Sequence, residues 1–286
     1  MAEAKCPASC GELIQGWILG GEKLVSCPIN WFSHVCVSDG KPSDHERPLM
    51  RQMLLNVLQH IGIPASAAKG LRIDFDSTIP LAKGMASSTA DIAATAQATA
   101  RHFGYNLDES TLATLCVGLE PTDSTLFRQL TLFDHQTAAT QIPGAWLPNI
   151  DILLLESPQW LNTADYHRRD RRQILLGHAD TLAQSWALFS QAMQDRDHSK
   201  LGEATTLSAR ASQQLLPKPR FDDLLTIVEH SGIYGLNVAH SGSVVGLLFD
   251  AVLHDCEHLS WLLQRRLIND DYPQQHRLRL IHGGVR

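Results

Sequence analysis

The 286-residue sequence predicts an α+β fold, and three observations carry that reading. Apolar residues recur at helical spacing in several long segments, period-two alternation marks a strand at 71–76, and strands and helices follow one another without the strict alternation that builds a doubly wound parallel sheet. The composition is that of a folded chain, with 44% hydrophobic and 19% charged residues and no polar low-complexity tract. At about 150 residues per domain the length suggests two domains. Pro143, Gly144 and Pro148 make 142–148 a linker-like stretch, which predicts a boundary between 1–148 and 149–286.

Met50, Met53, Leu54, Val57, Leu58 and Ile61 share one helical face, and Gly62 and Pro64 stop that helix. Leu71, Ile73 and Phe75 then alternate with Arg72, Asp74 and Asp76, as in a strand with one face on the core, and the chain turns at Ile79-Pro80. Residues 87–103 are rich in Ala and free of Gly and Pro, with Ile92, Ala93, Ala96, Ala100 and Phe103 along one stripe and Gly104 as a stop. Ser88-x-x-Asp91 matches a capping box, which places the start of this helix. Asp108 caps the next helix, which carries Leu112, Leu115, Cys116 and Leu119 inward. The second half predicts a strand at 150–156, helices at 172–195, 199–216 and 220–231, strands at 236–239 and 244–250, a helix at 254–267 and a short strand at 278–282.

The formal net charge of −6, from 24 basic and 30 acidic residues, offers no general attraction to nucleic acid or an anionic membrane. Any anion must therefore be captured locally. The first 13 residues lack the pattern of a signal or transit peptide, and the longest apolar runs fall far below the ~20 residues of a membrane span, so the expected location is the cytoplasm. Six cysteines, at 6, 10, 27, 36, 116 and 256, form no Cys-x-x-Cys pair and read as free thiols. Cys6 and Cys10 lack companions to complete a metal site.

The segment Pro80-Leu81-Ala82-Lys83-Gly84-Met85-Ala86-Ser87-Ser88-Thr89 joins a strand to a helix through small residues, as phosphate binding requires. Gly84 lets backbone approach an anion, Ala86 adds no bulk, and the N–H groups of the first helical turn point at the ligand. The spacing is not that of a Walker loop. It resembles the Pro-x-x-x-Gly-Leu-Gly-Ser-Ser-Ala signature of the GHMP kinases, with Ala86 in place of the usual Gly. Cys6-Pro7-Ala8-Ser9-Cys10-Gly11-Glu12-Leu13 is similar to the first motif of that family, in the form seen in homoserine kinases. Ala239-His240-Ser241-Gly242-Ser243-Val244-Val245-Gly246 is similar to the third, a turn between two strands.

This resemblance spans nearly the whole chain and implies an N-terminal domain like ribosomal protein S5 domain 2 followed by a ferredoxin-like domain. It also implies ATP and Mg²⁺ as cofactors, with Pro80, Lys83, Gly84, Met85, Ala86, Ser87, Ser88, Thr89, Ser241, Gly242 and Ser243 around the nucleotide. Ser88 and Glu120 match the family's serine and glutamate metal ligands. Asp123 is a candidate base, substrate ligand or turn cap, and Lys83 a candidate cation near the phosphates.

Within the family, the strings at 82–91, 120–124, 131–135 and 237–243 resemble the L-threonine kinases of cobalamin assembly. That implies L-threonine as the small-molecule substrate and O-phospho-L-threonine, a precursor of the aminopropanol linker, as product. Another GHMP small-molecule kinase, or a nucleotide sensor without catalysis, would share the same loop. The basic run at 166–172 has as its readings a solvated helix start, a site for a substrate carboxylate or, least compatible with the acidic balance, a nucleic-acid contact. His254 and His258 stand four apart, a zinc-compatible spacing without an evident third ligand on an otherwise ordinary amphipathic helix.

Overall fold

The chain begins with a long hairpin, β1 (Ala2–Ile18) and β2 (Gly21–Asp39). Leu19 and Gly20 both have positive φ, 48° and 79°, the conformation of a two-residue hairpin turn that matches strand twist. Most of β1 is buried on both faces, so its sequence lacks polar-apolar alternation and predicts no element. The computed structural model describes residues 1–159 and 170–286.

Helix α1 (Pro48–His60) starts with Pro in its first turn and buries the expected Met50, Met53, Leu54, Val57 and Leu58. Strand β3 (Leu71–Ser77) pairs with the second half of β2, Val35 opposite Phe75. Helix α2 (Ser87–His102) is buried continuously from Thr89 to Ala100, a reason for its run of small side chains as it packs on β1 and β2. Its start corrects the capping-box expectation. The residue before it, Ala86, is left-handed at φ 56°, while Asp91 lies in the core and accepts a hydrogen bond of 2.6 Å from the Ser33 hydroxyl and an ion pair from Arg47. Helix α3 (Glu109–Val117) is capped by Asp108, which accepts from Thr111 N.

Strands β4 (Thr131–Phe133), β5 (Gln141–Pro143) and β6 (Asp151–Glu156) follow. The expected helix at 172–195 is two, α4 (Arg172–Gly177) and α5 (Ala179–Asp195), divided at His178. Helices α6 (His198–Ser212) and α7 (Phe221–Ser231) precede β7 (Gly235–Val238) and β8 (Val245–Phe249). Helix α8 (Cys256–Arg265), a short α9 (Ile268–Asp271) and β9 (Gln274–Arg279) complete the order. Strand β9 starts four residues before the expected 278 because its pairing with β6 extends to Gln274.

The sheet runs β5-β4-β2-β1-β7-β8-β6-β9, with β3 on the free half of β2. It carries packing on both sides. Ile152 and Leu154 of β6 face one core with α2 and the hairpin, whereas Leu153 and Leu155 face a second with α7 and α8. Among the described residues no helix is long and apolar enough to cross a membrane.

Helix α6 approaches β7 through Gly202, where a Cβ would lie 1.8 Å from the Tyr234 carbonyl oxygen. Gly202→Ala should therefore destabilise the protein by about 1–3 kcal/mol through overpacking, despite the ~1 kcal/mol that alanine adds to helix propensity. Urea unfolding checks this: an unchanged or raised midpoint would show that helix and strand separate without cost.

Candidate active site

Three segments far apart in the chain meet through backbone. The amide of Ser9 donates to Met85 O at 3.0 Å, and the amides of Ser243 and Val244 donate to Lys83 O at 3.0 and 3.3 Å. The contact leaves no space for side chains at two positions. A Cβ on Gly242 would lie 2.1 Å from Lys83 O, and one on Gly84, which has φ 77°, would lie 2.5 Å from the Ala239 Cβ. The loop also holds Ala82 and Ala86 in the left-handed region. Because Ala86 has no polar side chain to cap α2, the N–H groups of Ser87, Ser88 and Thr89 face outward from the positive end of the helix.

These residues form one wall of a cavity of about 220 Å³. Ala82, Gly84, Met85, Ala86, Ser87, Ser88 and Thr89 line it from the loop, Glu120 and Asp123 from the segment after α3, and Ser241 from the turn after β7. Pro80, Lys83, Gly242 and Ser243 do not line it. Lys83, expected near the phosphates, is buried the other way: its ammonium donates to Ser157 O at 2.6 Å and Gln159 O at 3.1 Å and stands 3.7 Å from Glu156. Ser243 likewise sends its hydroxyl to Gln159 O at 3.0 Å. Both act as supports of the loop rather than groups in the cavity.

Burial raises the Glu120 carboxyl, the nearby charges of Asp123 and Asp91 raise it further, and a hydrogen bond from the Ser88 hydroxyl opposes them. Ser88 and Glu120 are therefore adjacent oxygen donors in a negative environment, which fits a hard divalent cation. Asp123 is buried, and its Oδ2 accepts a 3.1 Å hydrogen bond from Thr89 Oγ1, which accepts in turn from the Asp123 amide.

Glu12, to which the sequence assigns no role, also lines the cavity and is 3% exposed. It accepts from the His240 amide, and its carboxyl is hydrogen-bonded to that of Asp123. Burial, then the charge of Asp123, pushes Glu12 well above the usual carboxylate range. Burial raises Asp123 as well, opposed first by the Thr89 hydrogen bond and then by His240 and Glu12, so the two carboxyls form a coupled pair, both held above the usual carboxylate range. Burial lowers the Lys218 ammonium to about 7, while the nearby charge of Glu12 opposes that shift. The signal available in the sequence was a lone acid within a glycine-containing motif.

His240 is fixed from two sides. Gln15 donates to Val238 O at 2.9 Å, which turns its carbonyl oxygen toward His240 Nδ1 at 2.8 Å, and His240 Nε2 stands 3.3 Å from Glu22. Burial of Glu22 is outweighed by His240, Arg171 and His135, which bring its carboxyl down to about 2. Glu22, His135 and His240 place ligand atoms within 4.8 Å of one another. Arg171 already occupies the cation position, with contacts of 2.9 and 3.1 Å to the two Glu22 oxygens, so the cluster is an ion-pair network.

Of the basic run at 166–172, residues 166–169 lie outside the described residues. Arg171 is buried on Glu22, and Arg172 is the exposed first residue of α4. The zinc-compatible pair is not on one helix face: α8 begins at Cys256, after His254. There His254 Nδ1 accepts from the Asp250 amide at 3.0 Å and His258 stacks on Trp261.

Residues 48–127 match the model of the GHMP kinases N terminal domain. The chain is 57% identical to an L-threonine kinase of Citrobacter freundii over 285 residues, covering 100% of this chain and 99% of that protein. Among solved structures it is similar to homoserine kinase from Cytophaga hutchinsonii, with a TM-score of 0.72 at 16% identity over 100% of this chain and 96% of the other. It is also similar to MDDEF in complex with MVAPP, AMPPCP and magnesium, with a TM-score of 0.70 at 15% identity over 100% of this chain and 98% of the other. Three motifs joined by backbone, one fold along the whole length and a full-length relative at this identity have a single consequence: the chain belongs to the GHMP kinase family.

Proposed function

We propose that this protein transfers the γ-phosphoryl group of ATP to the side-chain hydroxyl of L-threonine, giving O-phospho-L-threonine. The observation that carries the reading is one cavity in which the phosphate loop, the Ser88–Glu120 oxygen pair and the Glu12–Asp123 carboxyl pair face each other. The full-length relative named an L-threonine kinase supports the acceptor. The product suits supply of the aminopropanol linker of cobalamin, and the reading assigns 1–148 to nucleotide binding and 149–286 to a second domain.

The first-turn N–H groups of α2 hold the triphosphate oxygens, where the helix end favours negative charge. A magnesium ion on Ser88 and Glu120 would neutralise charge on those oxygens. Asp123, hydrogen-bonded to Glu12, accepts the proton of the acceptor hydroxyl, and Thr89 fixes its orientation. Glu12, sharing the cavity, completes the polar floor on which the amino acid rests.

Glu120→Gln should keep the fold and lose most turnover at modest Mg²⁺, with partial recovery as Mg²⁺ is raised. Near-normal rates at low Mg²⁺ would remove Glu120 from the metal site. Asp123→Asn should lower kcat by ~10²–10⁴ with little change in KM for threonine. If steady-state kinetics show a rise in KM alone, the residue holds substrate and is not the base. Because one methyl group in a pocket is worth roughly 10–200-fold, kcat/KM should favour L-threonine over L-serine by that factor. ADP release with each amino acid at matched concentrations measures it, and equal use of homoserine would leave only the wider kinase activity.

A further inference from the structure

The cavity is lined by polar groups with a few apolar side chains among them, Met85 from the phosphate loop, Pro121 after Glu120, and Leu24. Glu12, Asp123, His135 and His240 supply it with charge and hydrogen-bonding groups, while the small apolar residues Ala82 and Ala86 belong to the phosphate loop. Among the described residues Leu24 is the one branched aliphatic side chain in the lining, and it comes from the sheet rather than from a loop.

Its neighbours are set by strand register. The amides and hydroxyls of Ser26 and Ser124 exchange hydrogen bonds of 2.8 and 2.9 Å, which clamps β2 beside Asp123. Leu24 lies two residues back on β2, on the same face as Ser26. It sits opposite Gln15 of β1 and Phe133 of β4. Gln15 holds His240, and His135 follows Phe133 by two residues, with its carbonyl accepting from Thr122 N at 2.9 Å. Leu24 therefore enters the cavity from the strand that the Ser26–Ser124 pair ties to the segment of Asp123, opposite the strands that carry Gln15 and lead to His135. At 2% exposure it is held by its surroundings.

We propose that Leu24 recognises the methyl group on the acceptor's hydroxyl-bearing carbon and so determines the choice of threonine over serine. The inference rests on the proposed phosphorylation of threonine. In L-threonine the hydroxyl and methyl share one carbon, so a hydroxyl directed at Asp123 directs the methyl at an adjacent wall. Leu24, on the strand tied to the Asp123 segment through Ser26 and Ser124, offers such a wall without a polar group to desolvate, and burying a methyl against it is favourable where burying it against Glu12 or His240 is not. The inverted configuration in L-allo-threonine exchanges the methyl with hydrogen and turns it away from Leu24 toward polar groups.

The test compares ADP release with L-threonine, L-serine and L-allo-threonine. Wild-type protein should use L-threonine at least ~10-fold better than L-allo-threonine in kcat/KM; equal use would overturn the proposal without any variant. Leu24→Ala, checked for folding by circular dichroism, should lower the threonine-to-serine ratio of kcat/KM by ~10-fold, with the loss mainly in KM for threonine. A ratio within twofold of wild type in the folded variant would show that Leu24 only packs the strand. Leu24→Phe fills the methyl's space and should depress threonine more than serine; parallel loss of both would count against the proposal. Absence of threonine-dependent ADP release by the wild-type protein would instead reject the activity itself, a result read before any variant is made.

Discussion

The rest of the site depends on the direct contact between the backbone of the phosphate loop and the turn after β7. Lys83 O receives two amides from 243–244, and the packing tolerates no Cβ at Gly84 or Gly242. Ser9 closes the other side through Met85 O. Two alanines in the loop adopt left-handed conformations, each costing on the order of 1–3 kcal/mol, and such conformations persist only where surrounding contacts determine them. The reward is positional: the start of α2 faces a cavity with its N–H groups aimed inward.

Charge within the cavity follows from the same enclosure. Glu12, Glu120 and Asp123 all lie above the ordinary carboxylate range because burial penalises their ionised forms. The neighbouring Glu22 behaves oppositely. With Arg171, His240 and His135 around it, its carboxyl falls to about 2 despite burial, and the resulting network steadies His240 from behind. Residues 22, 135, 171 and 240 come from four separate parts of the chain, and the sheet brings them together.

Lys83 shows why residue type and position in a motif do not settle a role. A lysine in a phosphate loop reads as a phosphate ligand, yet the carbonyls of Ser157 and Gln159 capture its ammonium. Its main chain, as acceptor for 243–244, contributes more to the site than its side chain. Asp91 is a parallel case. Its spacing from Ser88 suggests a cap, but the helix start is set by the loop's backbone, and Asp91 turns inward to Ser33 and Arg47.

Local chemistry in the sequence was sufficient for α1, α2, α3 and β3, because each declares itself through periodicity and stop residues, and for the phosphate loop, because small residues between a strand and a helix have few other uses. Ser88 and Glu120 were singled out by their resemblance to family motifs and Asp123 by its closeness to Glu120, and the structure brings all three to one cavity. What only the tertiary structure decided is whatever depends on two-sided burial or on distant pairing. Strand β1 has no alternation to read because most of it is covered on both faces, and Leu24 enters the cavity because β2 is tied to the Asp123 segment through Ser26 and Ser124. Glu12 is pushed up by burial and by the charge of Asp123, a residue more than a hundred positions away in the chain, an interaction that sequence spacing cannot encode because it exists only once the cavity excludes water.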